Sequence, residues 1–361
     1  MGGLMRIRSL ATCLALTTSA MLIPIAADAA APLAASCGAT LSTDAYLPAD
    51  LTCPADQGLI LAGNVTLDLK NHKLIGAGSK QGTALSVQSG ATPAIKNGAL
   101  KGWSAGISFI VPDDAGSASG KATITGVTFT GDDVGVAASG GGDYDIKSSR
   151  FVSNRWGIGG VFTGSIGVAG STFQQNDSGA HVDTSTLAVS TSRFDHNSTG
   201  VYCEEAGCTL RTSRFTHNDT GISTRTFGAT VTSNVISNNT TGLDGFVATG
   251  HTVTRNAFTH NTTGVNFFSS GGTLSRNIFT GNGVGFTSTG NEAPDFGATL
   301  DHNLFARNRD GIHVEDGGNG LQANTAVRNT GWGIFAPGST DLGSNRAFGN
   351  GNSPQCVGVV C

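Results

Sequence analysis

Large apolar residues recur along this chain with a period that neither a lone helix nor a hairpin would give. Phe129, Phe151, Phe173, Phe194, Phe215, Ile236, Phe258, Phe279, Phe305, Ala326 and Ala347 follow one another at spacings of 21 or 22 residues, with one step of 26. Most of them open one frame: an Asn three residues on, a Gly six residues on, then another apolar residue, as in "FDHNSTGV" at 194 and "FTHNDTGI" at 215. Five residues before the lead position stands a second apolar column, including Ile146, Val168, Val189, Leu210, Val231 and Val253. A third column follows the Gly, with Ile158, Val201, Ile222, Leu243, Val265 and Ile312. The runs between them are rich in Val, Ile, Phe and Thr and are broken by Gly and Asn, which predicts short strands. No 3.6-residue period and no leucine-rich signature is present. The pattern therefore predicts an all-β, single-domain solenoid, about three strands per coil, stacked in parallel about 4.8 Å apart. About a dozen coils over 58–350 would make a rod near 60 Å long, with 30–57 and 351–361 as its caps.

Polar columns keep the same register. Ser149, Ser171, Ser192 and Ser213, then Asn234, Asn256, Asn277, Asn303, Asn324 and Asn345, stand two residues before the lead position. Asn154, Asn176, Asn197, Asn218, Asn239, Asn261, Asn282 and Asn308 precede the Gly turn. A turn-borne Asn can bond its neighbour in the next coil, so each column is expected to form a ladder. The Asn-x-Ser/Thr sequences this creates are read as turn chemistry rather than glycan sites.

The ends and the composition change the picture in three ways. Arg6 and Arg8, an apolar run from Leu10 to Ile25 and then Ala27-Asp28-Ala29 predict a secretory signal over residues 1–29, in preference to a membrane anchor. Removing Arg6, Arg8 and Asp28 with it moves the net charge from −4 to −5, which argues against nucleic acid or an anionic membrane as partner. The remaining cysteines fall into local pairs, Cys37–Cys53, Cys203–Cys208 and Cys356–Cys361, and export makes disulfides the expected state. Zinc at Cys203 and Cys208 is the rival reading, but no second pair has zinc spacing. The chain is expected to be extracellular and monomeric.

With these motifs in place, the chain resembles the right-handed parallel β-helix superfamily, which includes pectate lyases, polygalacturonases and alginate epimerases. "NVTLDLKNHKLIG" at 64–76 is similar to a first coil of that family, and "NGALKGWSAGI" at 97–107 to a following one. The motifs are architectural, so the resemblance implies a fold more than an activity. It implies that acidic polysaccharide lies along the outer face of the sheet opened by the Gly-Ile or Gly-Val strands. The outward positions there are two and four residues after the Gly: His181 and Asp183, Tyr202 and Glu204, Ser223 and Arg225, Asp244 and Phe246, Asn266 and Phe268, Thr287 and Thr289, His313 and Glu315.

Lyase or epimerase chemistry on a uronic acid needs a cation to neutralise the carboxylate and a base for the adjacent proton. Arg225 is the candidate neutraliser, and His181 or Tyr202 the candidate proton exchanger. Asp183 and Glu204, with Asp244 near, are candidate Ca²⁺ ligands. Asp244, Phe246, Asn266 and Phe268 are candidate substrate contacts. The competing reading is a solvated sheet face on a non-catalytic glycan-binding or envelope structural protein. Insertions at 111–121 and 289–297 leave at one corner, where loops commonly wall a binding face. "NRDGIHVEDG" at 308–317 resembles the Asn-x-Asp element of polygalacturonases, with Asp310 as acid, but their other elements are missing. "GDDVGV" at 131–136, the nearest partner, lies eight coils away, roughly 38 Å and too far to share a bond. His196, His217, Asn238 and His260 share a turn column, read either as exposed filling or as a metal site.

Overall fold

The computed structural model describes residues 32–54, 58–79, 81–111, 117–161, 164–290 and 296–361. The predicted signal segment and the central parts of both insertions lie outside these residues. The regular structure is β throughout, and neighbouring strands pair in parallel. A front sheet of 15 strands carries one strand per coil, from Thr40–Leu41 to Cys356–Val357. The other 27 strands form two columns, a Phe sheet and a back sheet. Ala94–Lys101 and Ala118–Thr130 run through both and join them. There are more coils than the expected dozen because the segments read as caps are themselves wound in. Thr40–Leu41 pairs with Ile60–Leu61, and Cys356–Val357 with Ile334–Phe335.

The lead residues are fully buried from Phe129 to Phe305. Their rings stack coil on coil with centroids 4.5 to 4.9 Å apart and planes within 8°, interrupted only where Ile236 takes a rung. This column explains the Gly six residues on. A Cβ at Gly200 would lie 2.4 Å from the carbonyl oxygen of Gly221 and 3.1 Å from Cδ1 of Phe215. The ring of the next coil occupies the space a side chain would need.

Both predicted ladders form. Along the inner one, the Asn176 amide nitrogen donates to Asn197 Oδ1 at 2.9 Å and to the Phe151 carbonyl at 3.2 Å, while Asn154 N–H donates to Asn176 Oδ1 at 3.0 Å. The outer ladder begins with hydroxyls, Ser171 N–H reaching Ser192 Oγ at 3.1 Å. It changes to amides where Ser213 N–H meets Asn234 Oδ1 at 2.9 Å. The residue before each rung sits in the left-handed region, Thr191, Thr212, Ser233 and Arg255 at one corner and His196, His217, Asn238 and His260 at the other, with φ between 47° and 57°. Side chains seldom adopt that backbone, and the ladder bonds at every corner offset its cost.

All three predicted disulfides are present, with Cα–Cα distances of 5.5 Å for Cys37–Cys53, 6.5 Å for Cys203–Cys208 and 6.2 Å for Cys356–Cys361. They mark an extracytoplasmic protein. No helix among the described residues is long and apolar enough to cross a membrane.

Candidate functional site

The front sheet sets the predicted outward residues in two columns. Register pairs His181 with Tyr202, then Ser223, Asp244, Asn266, Thr287, His313 and Phe335. Beside it run Asp183, Glu204, Arg225, Phe246, Phe268 and Thr289. The inward residues between them, such as Val182 and Cys203, are buried, so strand alternation alone aims these side chains outward.

The aromatic and cationic members touch. His181 lies between two rings, 4.3 Å from Trp156 and 4.5 Å from Tyr202, with planes within 21°. The Arg225 guanidinium stands 5.9 Å from the Tyr202 ring and 4.8 Å from Phe246, and Phe246 stacks on Phe268 at 5.1 Å. At the other end, Arg155 covers Trp156 at 4.5 Å. A continuous ladder of rings and guanidinium groups therefore crosses six coils, about 24 Å. Arg225, Phe246 and Phe268 are exposed along it.

Sequence reasoning missed Trp156 and Arg155. Trp156 precedes its Gly rather than following it, so it falls outside the two-and-four rule. The signal was Gly159, which stands in the His181 column without a side chain. The Trp156 ring fills that slot, since a Cβ on Gly159 would meet it at 2.8 Å.

Burial pushes the His181 imidazole below its usual range, with Glu204 and Asp183 opposing and Arg155 acting in the same sense. It is therefore neutral at neutral pH and able to accept a proton. Burial, then the hydrogen bond to Glu204, push the Tyr202 hydroxyl up to about 12. Tyr202 thus stays protonated and donates to Glu204 Oε2 at 2.8 Å. Of the two proton exchangers expected, His181 suits a base and Tyr202 an acid or a positioning group.

Glu204 and Asp183 are register partners on adjacent coils, while Asp244 stands in the other column and accepts from Asn266 Nδ2 at 2.7 Å. The Cys203–Cys208 bridge closes the turn carrying Glu204. Asp310 is buried, with Oδ1 accepting from Trp332 N–H at 2.8 Å and Oδ2 from Arg309 Nε at 3.0 Å. These bonds hold it within the wall of the coil. His313 packs against Phe335 at 5.1 Å, apart from the ladder.

A separate group forms in the turn before the front sheet. Asp195 Oδ2 lies 3.0 Å from His196 Nδ1, and Oδ1 3.2 Å from His217 Nδ1. Arg193 at 3.0 Å and the Thr216 hydroxyl at 2.6 Å complete the surroundings of this carboxylate. These hydrogen bonds hold its pKa well below the usual carboxylate range, against the desolvation of burial, which is the largest single influence and acts the other way. Among the described residues this is the one group of three whose metal-ligating atoms all lie within 4.8 Å of one another. His196 and His217 were visible as a column in the sequence; Asp195, which organises them, was not singled out.

Comparison with solved structures finds the same fold in two variants of the periplasmic alginate epimerase AlgG. One aligns at a TM-score of 0.56 with 15% identity, over 78% of this chain and 77% of that chain. The other aligns at 0.51 with 13% identity, over 83% and 78%. Comparison with curated proteins finds no match. The family described as "Periplasmic copper-binding protein (NosD)" matches residues 120–300. A match over half of the chain, carried on an unbroken parallel β-helix, shows that this protein belongs to the NosD family of right-handed β-helix proteins.

Proposed function

We propose that this chain is an exported protein that binds acidic polysaccharide along the front sheet, on the strip from Trp156 to Phe268. The observation that carries this reading is the continuous ring and guanidinium ladder. The stacked rings cover one another's faces and present their edges outward among polar groups suited to sugar hydroxyls, and Arg225 supplies the charge that a uronate carboxylate would meet. The coil spacing of about 4.8 Å is close to the length of one sugar ring, so the strip offers about five successive contacts. The solved neighbours named as alginate epimerases share the fold, which supports the substrate class without assigning an activity.

Turnover as a lyase or epimerase is the second reading, favoured by the neutral His181 beside the protonated Tyr202 and Arg225. Asp183 and Glu204 are where Ca²⁺ would dock in either case; a chelator that leaves glycan affinity unchanged removes it from the proposal.

The test is binding of alginate, pectate and glycosaminoglycans by calorimetry, with unsaturated-product absorbance and NMR as readouts of lysis and epimerisation. Arg225→Ala and Trp156→Ala should each weaken binding at least tenfold with little change in Tm, because neither outward side chain supports the core. His313→Ala should bind like the parent. Full binding by Arg225→Ala, or loss on His313→Ala alone, would overturn the assignment.

A further inference from the structure

We propose that the front-sheet strip selects a sparsely charged acidic polysaccharide, in which carboxylate-bearing sugars are set apart by neutral ones, over a polymer charged on every sugar. The inference rests on the glycan reading above and comes from the order of charges along the strip. Coil by coil after Trp156, one column presents the carboxylate of Asp183, that of Glu204, the guanidinium of Arg225, and then Phe246 and Phe268. Asp244 adds a third carboxylate on the coil after Arg225.

Arg225 is the cation left to meet a ligand. It is exposed, and its guanidinium packs on the rings of Tyr202 and Phe246 rather than on a carboxylate. Arg155, three coils away and about 14 Å along the axis, already shares its charge with Asp133 at 3.7 Å. Arg193, Arg211 and Arg214, from the coils between, lie on strands of the other two faces. The chain has no lysine beyond Lys147.

The selectivity follows from what a carboxylate can do. When ionised it only accepts, so Asp183, Glu204 and Asp244 suit the hydroxyls of neutral sugars and repel a uronate at the same contact. At about one sugar per coil, a polyuronate could reach Arg225 only by bringing further carboxylates close to Asp183 and Glu204. All three acids are half-buried, which limits the screening that salt gives to exposed charges. The net charge of −4 adds repulsion at longer range. A chain with neutral sugars on either side of one uronate meets Arg225 and offers hydroxyls to the acidic coils.

The experiment titrates the full chain by calorimetry at low salt, with a chelator present so that no Ca²⁺ bridges the acids. The probes are polygalacturonate, charged on every sugar, and deacylated gellan, whose glucuronates are separated by neutral sugars. Gellan should bind at least tenfold more tightly per site, and the ratio should shrink as salt rises. Asp183→Asn with Glu204→Gln keeps the shape and the acceptors and removes both charges. It should raise polygalacturonate affinity at least tenfold while keeping the parent's circular dichroism and Tm. Polygalacturonate binding the parent at least as tightly as gellan, or unmoved affinity in the double variant, would overturn the selectivity and leave the glycan site standing. Binding of neither polymer would instead overturn the glycan reading, and the selectivity with it.

Discussion

Asp132 stands on the inner ladder at the rung where the later coils, from Asn154 to Asn350, place an Asn. Its Oδ1 accepts from Trp103 N–H at 2.9 Å, as an Asn oxygen would. Its Oδ2 takes the place of the amide nitrogen and has no hydrogen-bond partner; the residue is 2% exposed. Burial accordingly pushes the carboxyl up to about 8. The sign follows from linkage. The folded pKa lies above the unfolded one, so the folded state keeps a proton that the unfolded state has released. Its contribution is full below about pH 4 and is lost as pH rises towards 8, on the order of a few kcal/mol. Asp132→Asn supplies the missing N–H and should flatten this slope, gaining more stability at pH 8 than at pH 5 in urea unfolding. An equal gain at both pH values would mean that Asp132 does not titrate there. His251 acts on the acid side. It is buried with its pKa pushed down to about 4, so stability present above pH 6.5 is lost as pH falls towards 4. The Asp132→Asn variant should retain that acid loss.

At the scale of the element, the corner between the Phe sheet and the front sheet depends on one amide per coil. Asn239 Nδ2 donates to the Phe215 carbonyl at 3.1 Å and to Asn261 Oδ1 at 3.0 Å, and its Oδ1 accepts from Asn218 N–H at 2.9 Å. Asn239→Ala would strand a buried N–H and a buried carbonyl, each costing about 1–3 kcal/mol, so a loss of about 3–5 kcal/mol is expected. Asn239→Ser should cost about half of that, on the same scale, because a hydroxyl keeps the acceptor, as Ser192 does on the outer ladder. Chemical unfolding of the two variants measures the difference; an Ala variant within 1 kcal/mol of the parent would show that water replaces the rung. These rungs, the Phe column and the disulfides were legible in the sequence because each demand is local and repeats every coil. Trp156 and Asp195 were not. The Trp156 ring leaves its own column for the vacancy above Gly159, and Asp195 matters through side chains of the following coil. A periodic pattern identifies what each coil repeats and hides what one coil does for its neighbour.

At the scale of the molecule, a solenoid has only nearest-neighbour contacts, so its stability is a sum over coil interfaces and its ends open first. Each end of the described solenoid carries a cystine, and the C-terminal end is closed by side-chain hydrogen bonds as well. The inner ladder finishes on Gln355, whose Oε1 accepts from the Asn350 backbone at 2.8 Å and from its amide at 2.9 Å. Gln355 Nε2 in turn donates to the carbonyls of Asn350 and Asn352, at 3.2 and 2.7 Å. The Cys356–Cys361 bridge pins the segment beside it. Gln355→Ala should therefore free the last rung while leaving the middle of the rod untouched. In hydrogen exchange, the amides of Asn329 and Asn350 should lose protection by tenfold or more, and those of Phe194 and Phe215 should keep theirs, because about six coil interfaces separate them from the frayed end. The front sheet between His181 and Phe268 lies in that protected centre, so glycan binding should survive the substitution. Protection falling equally at Phe194 would show instead that the rod unfolds as one unit, and the additive picture of its coils would be wrong.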